Sequence, residues 1–153
     1  MRLWRLSRAP FMALDGSGPE RHGARYSSPG LPVVNFASEA GLAVLVAQRY
    51  LPADRADYPG DLRLGWTEID AAAERIPDCA DEAAIREWVD EWLLSCRSLL
   101  AAIASRVLPE GDIVLMNPRH ADAERVAPLT SRPFDFGACL HRPPMLDTYR
   151  SNS

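Results

Sequence analysis

The residues best suited to chemistry lie between Gly18 and Ser38. There Arg25, Tyr26, Ser27 and Ser28 put a fixed cation, a ring and two hydroxyls in four consecutive positions, and Pro29-Gly30 turns the chain toward the apolar run Val33-Val34. Arginine presents a planar donor fork that matches a phosphate in two places, and tyrosine can stack on a base while its hydroxyl stays hydrogen-bonded. That combination suits a ligand with a phosphate and a ring, such as a nucleotide. The same residues also make a capped loop end, so the segment alone leaves both readings open.

Such a turn works only if rigid elements hold it. Arg2 to Leu6 alternates polar and apolar residues and predicts a strand, while Leu14 to Pro19 carries turn formers and reads as loop. Val33 to Phe36 predicts a buried strand, and Ser38 is placed to cap a helix running to Tyr50, ahead of Pro52. The turn therefore precedes a strand-to-helix junction. Leu62 and Leu64 suggest a further strand, and Thr67-Glu68-Ile69-Asp70 reads as a capped helix start that must stop before Pro77. Ile85, Trp88, Val89, Trp92 and Cys96 recur at helical spacing, giving an amphipathic helix over about Asp81 to Ser95 whose tryptophans belong to the core. Leu99 to Ile103 and Ile113 to Met116 read as strands, and Arg132 to Phe136 as an edge strand. The fold class is α+β, in one domain over residues 1–145 with a flexible tail over 146–153.

Composition narrows the function. The chain has 153 residues, 47% of them hydrophobic, enough for one core. Its net charge is -4 with no basic run, which argues against a nucleic-acid surface. All 17 basic residues are arginine, a pattern read first as coding bias. Cys79, Cys96 and Cys139 are widely spaced, lack a Cys-x-x-Cys pair and fit reduced thiols in a cytosol, so no metal site is expected. No apolar run approaches the ~18 to 20 residues that span a bilayer, and the expected setting is cytoplasmic.

Several ordered pieces together resemble the RES-domain family, the toxin half of RES–Xre toxin–antitoxin systems. They are Leu3-x-Arg5, Ala13-Leu14-Asp15-Gly16, Gly23-Ala24-Arg25-Tyr26-Ser27-Ser28-Pro29-Gly30 leading to Pro32-Val33-Val34, and Trp92 to Ser98. Further on come Ile103-Ala104-Ser105 before Val107-Leu108-Pro109, then Asn117-Pro118-Arg119-His120 and Pro133-Phe134-Asp135-Phe136. The resemblance implies a compact fold similar to ADP-ribosyltransferase toxins, built of small twisted sheets and flanking helices, with NAD as co-substrate. It implies ADP-ribose transfer to a protein, with phosphoribosyl pyrophosphate synthetase the acceptor described for members near this type, and an Xre-like antitoxin as partner. NAD glycohydrolase or phosphorylase activity is the enzymatic alternative. A catalytically inactive module that binds the antitoxin or a nucleotide is the non-enzymatic one.

With NAD as substrate, the site must hold the pyrophosphate, clamp the ribose and stabilise positive charge as nicotinamide leaves. Arg25 is the pyrophosphate clamp and Tyr26 a stacking ring, with Ser27 beside them. Ser105 and Asn117 are polar contacts to ribose or amide, Asn117 reading equally well as a turn residue before Pro118. His22 and His120 are placed to meet ribose or phosphate, or are ordinary hydrogen-bonding histidines. The family pattern puts a tyrosine at the end of the Pro-Val-Val strand and a glutamate on the next helix, where this chain has Asn35 and Val46. Glu39 is the nearest substitute carboxylate, and it reads also as a favourable charge at a helix N-terminus. Loss of the glutamate weakens water activation most, which favours a protein acceptor over hydrolysis.

Overall fold

The computed structural model describes residues 1–140, so the tail expected from residue 146 and the domain end expected at residue 145 lie outside the described residues. Among the described residues the chain forms seven strands and four α-helices. They are β1 (Arg2–Arg8), α1 (Ser17–His22), β2 (Val34–Ala37), α2 (Ala40–Gln48), β3 (Leu62–Glu68), β4 (Ala73–Arg75), α3 (Glu82–Ser95), β5 (Leu100–Ala104), β6 (Asp112–Met116), β7 (Thr130–Pro133) and α4 (Phe136–Leu140). The strands form one sheet in the order β4-β5-β6-β2-β1-β3-β7, antiparallel throughout except for the parallel β4–β5 pair.

Strand alternation sorts the core into two faces. Ala101, Ile103 and Leu115 face α3, where they pack with Ile85, Val89 and Trp92. Their neighbours Leu100, Ala102, Val114 and Met116 turn to the other face, against Leu3, Val34 and Phe36. A third cluster seats Leu42 and Ala43 of α2 against Ala37 and Leu64, with Trp4, Leu6 and Val46 packed around them. The sheet has one weak join. Whereas β1 is paired with β3 from Arg2 to Arg8, β1 and β2 meet only where Trp4 lies opposite Ala37.

Three local expectations are corrected. Thr67 to Asp70 opens no helix: Leu3 and Arg2 of β1 pair with Thr67 and Glu68, and the Thr67 hydroxyl donates to the Ala127 carbonyl. Cross-strand pairing outweighs the local cap chemistry. The turn formers around Gly16 start α1 instead of a plain loop, because Asp15 accepts from the Ser17 amide and Gly16 adopts φ +68°. A Cβ at Gly16 would sit 2.5 Å from the Val33 nitrogen, so only glycine lets this turn press against the entry to β2. Ser38 does not cap α2. Its Oγ accepts from the Asp112 amide across the sheet, Glu39 holds the cap position without a side-chain bond, and the helix ends at Gln48. The Asp81–Ser95 helix holds, with Asp81 accepting from the Ala83 amide at its start. The C-terminal edge strand is β7, ended by Pro133 before Phe136 opens α4. Sequence periodicity missed the three-residue β4.

Candidate functional site

The weak join between β1 and β2 opens into a cavity of about 310 Å³. Its walls come from Trp4, Arg5 and Leu6 of β1, Asn35 to Ala37 of β2, one face of α2, the Ala24-Arg25-Tyr26 turn, and Ser105 to Val107 after β5. This volume sits at the low end of small-molecule pockets, roughly 300 to 1,000 Å³.

The arginine turn is held from α3. Ala24 and Ser27 exchange backbone hydrogen bonds, and Gly23 adopts φ +73° to start the reversal. The Ser28 amide donates to Asp90 at 2.9 Å and its hydroxyl donates to the same carboxylate at 2.5 Å. Arg86 donates to the Arg25 carbonyl at 2.9 Å. The Arg25 guanidinium itself meets Glu82 at 2.5 and 2.8 Å and lies 5.3 Å from the centre of the Tyr26 ring. The hydrogen bonds that the guanidinium donates to Glu82 raise the Arg25 pKa above its ordinary value, so its charge is fixed. Tyr26 is buried, packed into the α3 core and exposing part of its surface to the cavity.

Arg5 is the unexpected member. It projects from β1 into the seam, where one terminal nitrogen donates to the Asn35 carbonyl at 3.3 Å. Its Nε is sealed from solvent and has no hydrogen-bond partner among the described residues. Burial pushes its pKa down, and attraction to Asp15 offsets this only in part. A half-buried cation whose sealed Nε is unpaired is poorly compensated, and an anion in the cavity would supply what it lacks. Arg49 and Arg106 extend the positive wall. Arg106 is paired with Asp78, while Arg49 is exposed and has no ion pair among the described residues. Four arginines thus line the cavity, and among the described residues no aspartate or glutamate does.

The structure brings Arg25, Tyr26, Asn35 and Ser105 together around this space, with Val46 on the same wall. Ser105 is buried at the end of β5, its Oγ accepting from the Val107 and Leu108 amides at 3.2 and 3.4 Å. That turn fixes the hydroxyl at the cavity wall. Other candidates lie elsewhere. Asn117 is buried away from the cavity, donating to the Leu93 carbonyl at 2.9 Å and accepting from the Arg119 amide at 3.0 Å, so it ties the end of α3 to the end of β6. His22 is exposed at the end of α1, and His120 caps a short turn by accepting from the Asp122 amide. Ser27 is buried, its Oγ has no partner among the described residues, and it lies outside the cavity wall. Glu39 is exposed at the start of α2 and also lies outside it.

Sequence reasoning did not assign Arg5, Arg49, Tyr50 or Arg106 to the site. Arg5 carried no local signal: it is one charged residue in an alternating strand, and its place at the seam depends on how little β2 pairs with β1. Arg49 and Tyr50 follow the helix end and carried none. Among the described residues no group of three or more His, Cys, Asp or Glu is placed to hold a metal ion, and no helix is long and apolar enough to cross a membrane.

Four arginines thus wall a cavity at the seam of a seven-stranded sheet in an α+β fold. The RES domain model matches residues 2–137, and the chain belongs to that family. A protein named Toxin Res from Pseudomonas putida is 29% identical over 138 residues, covering 81% of this chain and 89% of that protein. A protein named Prs ADP-ribosylating toxin from Sphingobium sp. is 25% identical over 134 residues, covering 74% and 77%. In structure, the chain is similar to one from the crystal structure of the M. tuberculosis MbcT-MbcA toxin-antitoxin complex. The TM-score is 0.69 at 15% identity, covering 90% of this chain and 85% of that one, which supports the fold.

Proposed function

We propose that this protein is a toxin-type ADP-ribosyltransferase that takes NAD into the seam cavity and passes ADP-ribose to a protein acceptor. The observation that carries this reading is the convergence of Arg5, Arg25, Tyr26, Asn35 and Ser105 on one cavity of a RES domain. Arg5 and Arg25 hold the pyrophosphate, the orphaned Arg5 Nε being the donor that most needs an anion. Tyr26 packs against the nicotinamide, and Asn35 and Ser105 position the ribose and amide. The ADP-ribosylating activity named for the Sphingobium relative supports the reaction class. The toxin–antitoxin complex supports a cognate antitoxin as partner. Phosphoribosyl pyrophosphate synthetase is the acceptor to test first, on the strength of the family resemblance.

One observation favours a second reading. With valine at position 46 and Glu39 outside the cavity, no lining carboxylate among the described residues faces the bond to be broken. The second reading is a nucleotide-binding module without turnover. Purified protein incubated with NAD, with and without bacterial lysate, separates the readings by free nicotinamide. Lysate-dependent release accompanied by labelled protein supports transfer. Release in buffer or with phosphate alone means hydrolysis or phosphorolysis, and no release under any condition means a binding module.

A further inference from the structure

We propose that the acceptor side chain is itself a carboxylate, an aspartate or glutamate of the target protein. The inference rests on the transferase reading and on the composition of the cavity wall. Hydroxyl and amine acceptors must lose a proton to become nucleophiles, and lysine, with a pKa near about 10.4, is almost wholly protonated at neutral pH. The wall offers nothing to take that proton: its polar groups are arginines, tyrosines, Asn35, Ser105 and the indole of Trp4, without an aspartate, glutamate or histidine among the described residues. Glu82 is held on the Arg25 guanidinium, which neutralises it, and it does not line the cavity. A carboxylate, with a pKa near about 4, arrives already deprotonated.

The same wall attracts such a group. Arg49 is exposed at the mouth without an ion pair among the described residues and is placed to receive the second carboxylate oxygen. The incoming anion also supplies the negative charge that the developing oxocarbenium lacks at Val46. The bond between the ribose C1′ and the nicotinamide nitrogen breaks, and its electron pair neutralises the pyridinium. An oxygen of the carboxylate gives a pair to C1′ and forms an ester. No proton moves, so no base is needed.

The test labels lysate proteins with adenylate-radiolabelled NAD and the wild-type protein, then treats them with neutral hydroxylamine, which cleaves carboxylate esters within minutes. Rapid loss of label, with peptide mapping to aspartate or glutamate, is the expected result. Hydroxylamine-resistant label, or mapping to serine or lysine, overturns the carboxylate acceptor and leaves the transferase reading standing. Absence of protein label overturns both. Val46→Glu adds an independent arm: nicotinamide release without lysate should rise about a hundredfold, the lower side of what a positioned acid or base contributes. A folded Val46→Glu protein with unchanged release would show that a missing carboxylate does not limit the site, and would overturn the proposal.

Discussion

Replacing Arg5 by methionine should leave the unliganded protein as stable as the original or more so, while removing most of its affinity for ADP-ribose. Most substitutions of a side chain packed into a sheet destabilise, and Arg5 is half-buried with a sealed Nε, so the expected sign is diagnostic. Among the described residues, Arg5 has a solvent-sealed Nε without a partner and a single 3.3 Å bond to the Asn35 carbonyl. A buried donor left unsatisfied costs about 1 to 3 kcal/mol, and the long bond returns about 1 kcal/mol or less. Methionine keeps much of the aliphatic stem and removes the buried charge. The net gain is ~0 to 2 kcal/mol, a rise in Tm of at most about 8 °C for a domain of this size. Binding moves the other way. Loss of a charge-assisted contact of ~1.5 to 3 kcal/mol weakens affinity roughly ten- to hundredfold. Thermal melts with and without ADP-ribose, together with calorimetric titration, read both quantities on one sample. A fall in Tm of several degrees with affinity retained would identify Arg5 as a structural prop of the seam and refute this reasoning.

Other substitutions separate ligand contacts from scaffold. Arg25→Ala should weaken ADP-ribose binding ~10- to 100-fold but change stability by no more than ~1 kcal/mol, because its pair with Glu82 is partly exposed; titration and melting distinguish the two effects. Asp90→Ala strands the Ser28 amide and hydroxyl, so it should lower stability by about 1 to 3 kcal/mol in denaturant titration and reduce affinity as well, since the loosened turn carries Arg25. Asn117→Ala should cost a similar ~1 to 3 kcal/mol while leaving the affinity of the folded protein within about threefold, its bonds lying away from the cavity. Glu74 is held below the usual carboxylate range by Arg97 and then by Ser98, so its stabilisation is present above about pH 4 and lost as pH falls through the lower folded value. Tm measured against pH should fall less steeply on the acid side in Glu74→Gln.

The elements legible in the sequence were those with strong periodicity: β1 from its alternation, α3 from its spaced Ile85, Val89 and Trp92, and β5 and β6 from short apolar runs. Thr67 to Asp70 was misread because strand pairing with the first residues of the chain is a nonlocal event without a local signature. β4 was too short to show a period. In the site, Arg25 and Tyr26 announced themselves by adjacency, and Ser105 by its place at a strand end. Arg5 was hidden because its meaning depends on β2 failing to pair beside it. Asn117 and His120 show the converse limit, since a polar residue next to a turn has the same appearance whether it caps a backbone or meets a ligand.

The seam also gives a physical account of Val46. A sheet held at one point by a single residue pair needs another tie, and α2 supplies it by packing Leu42, Ala43 and Val46 with Trp4 and Leu6 of β1 and Ala37 of β2. A glutamate at position 46, as the family resemblance implies, would put a charge against this apolar strap and stabilise it only through the arginines across the cavity. Valine removes that desolvation cost and adds apolar contact where the sheet is weakest. Yet it leaves Arg5 without a countercharge on the opposite wall, which keeps the cavity strongly attractive to anions. Tighter closure of the seam and greater demand for an anionic ligand therefore follow from the same residue, at the expense of the group that would activate water.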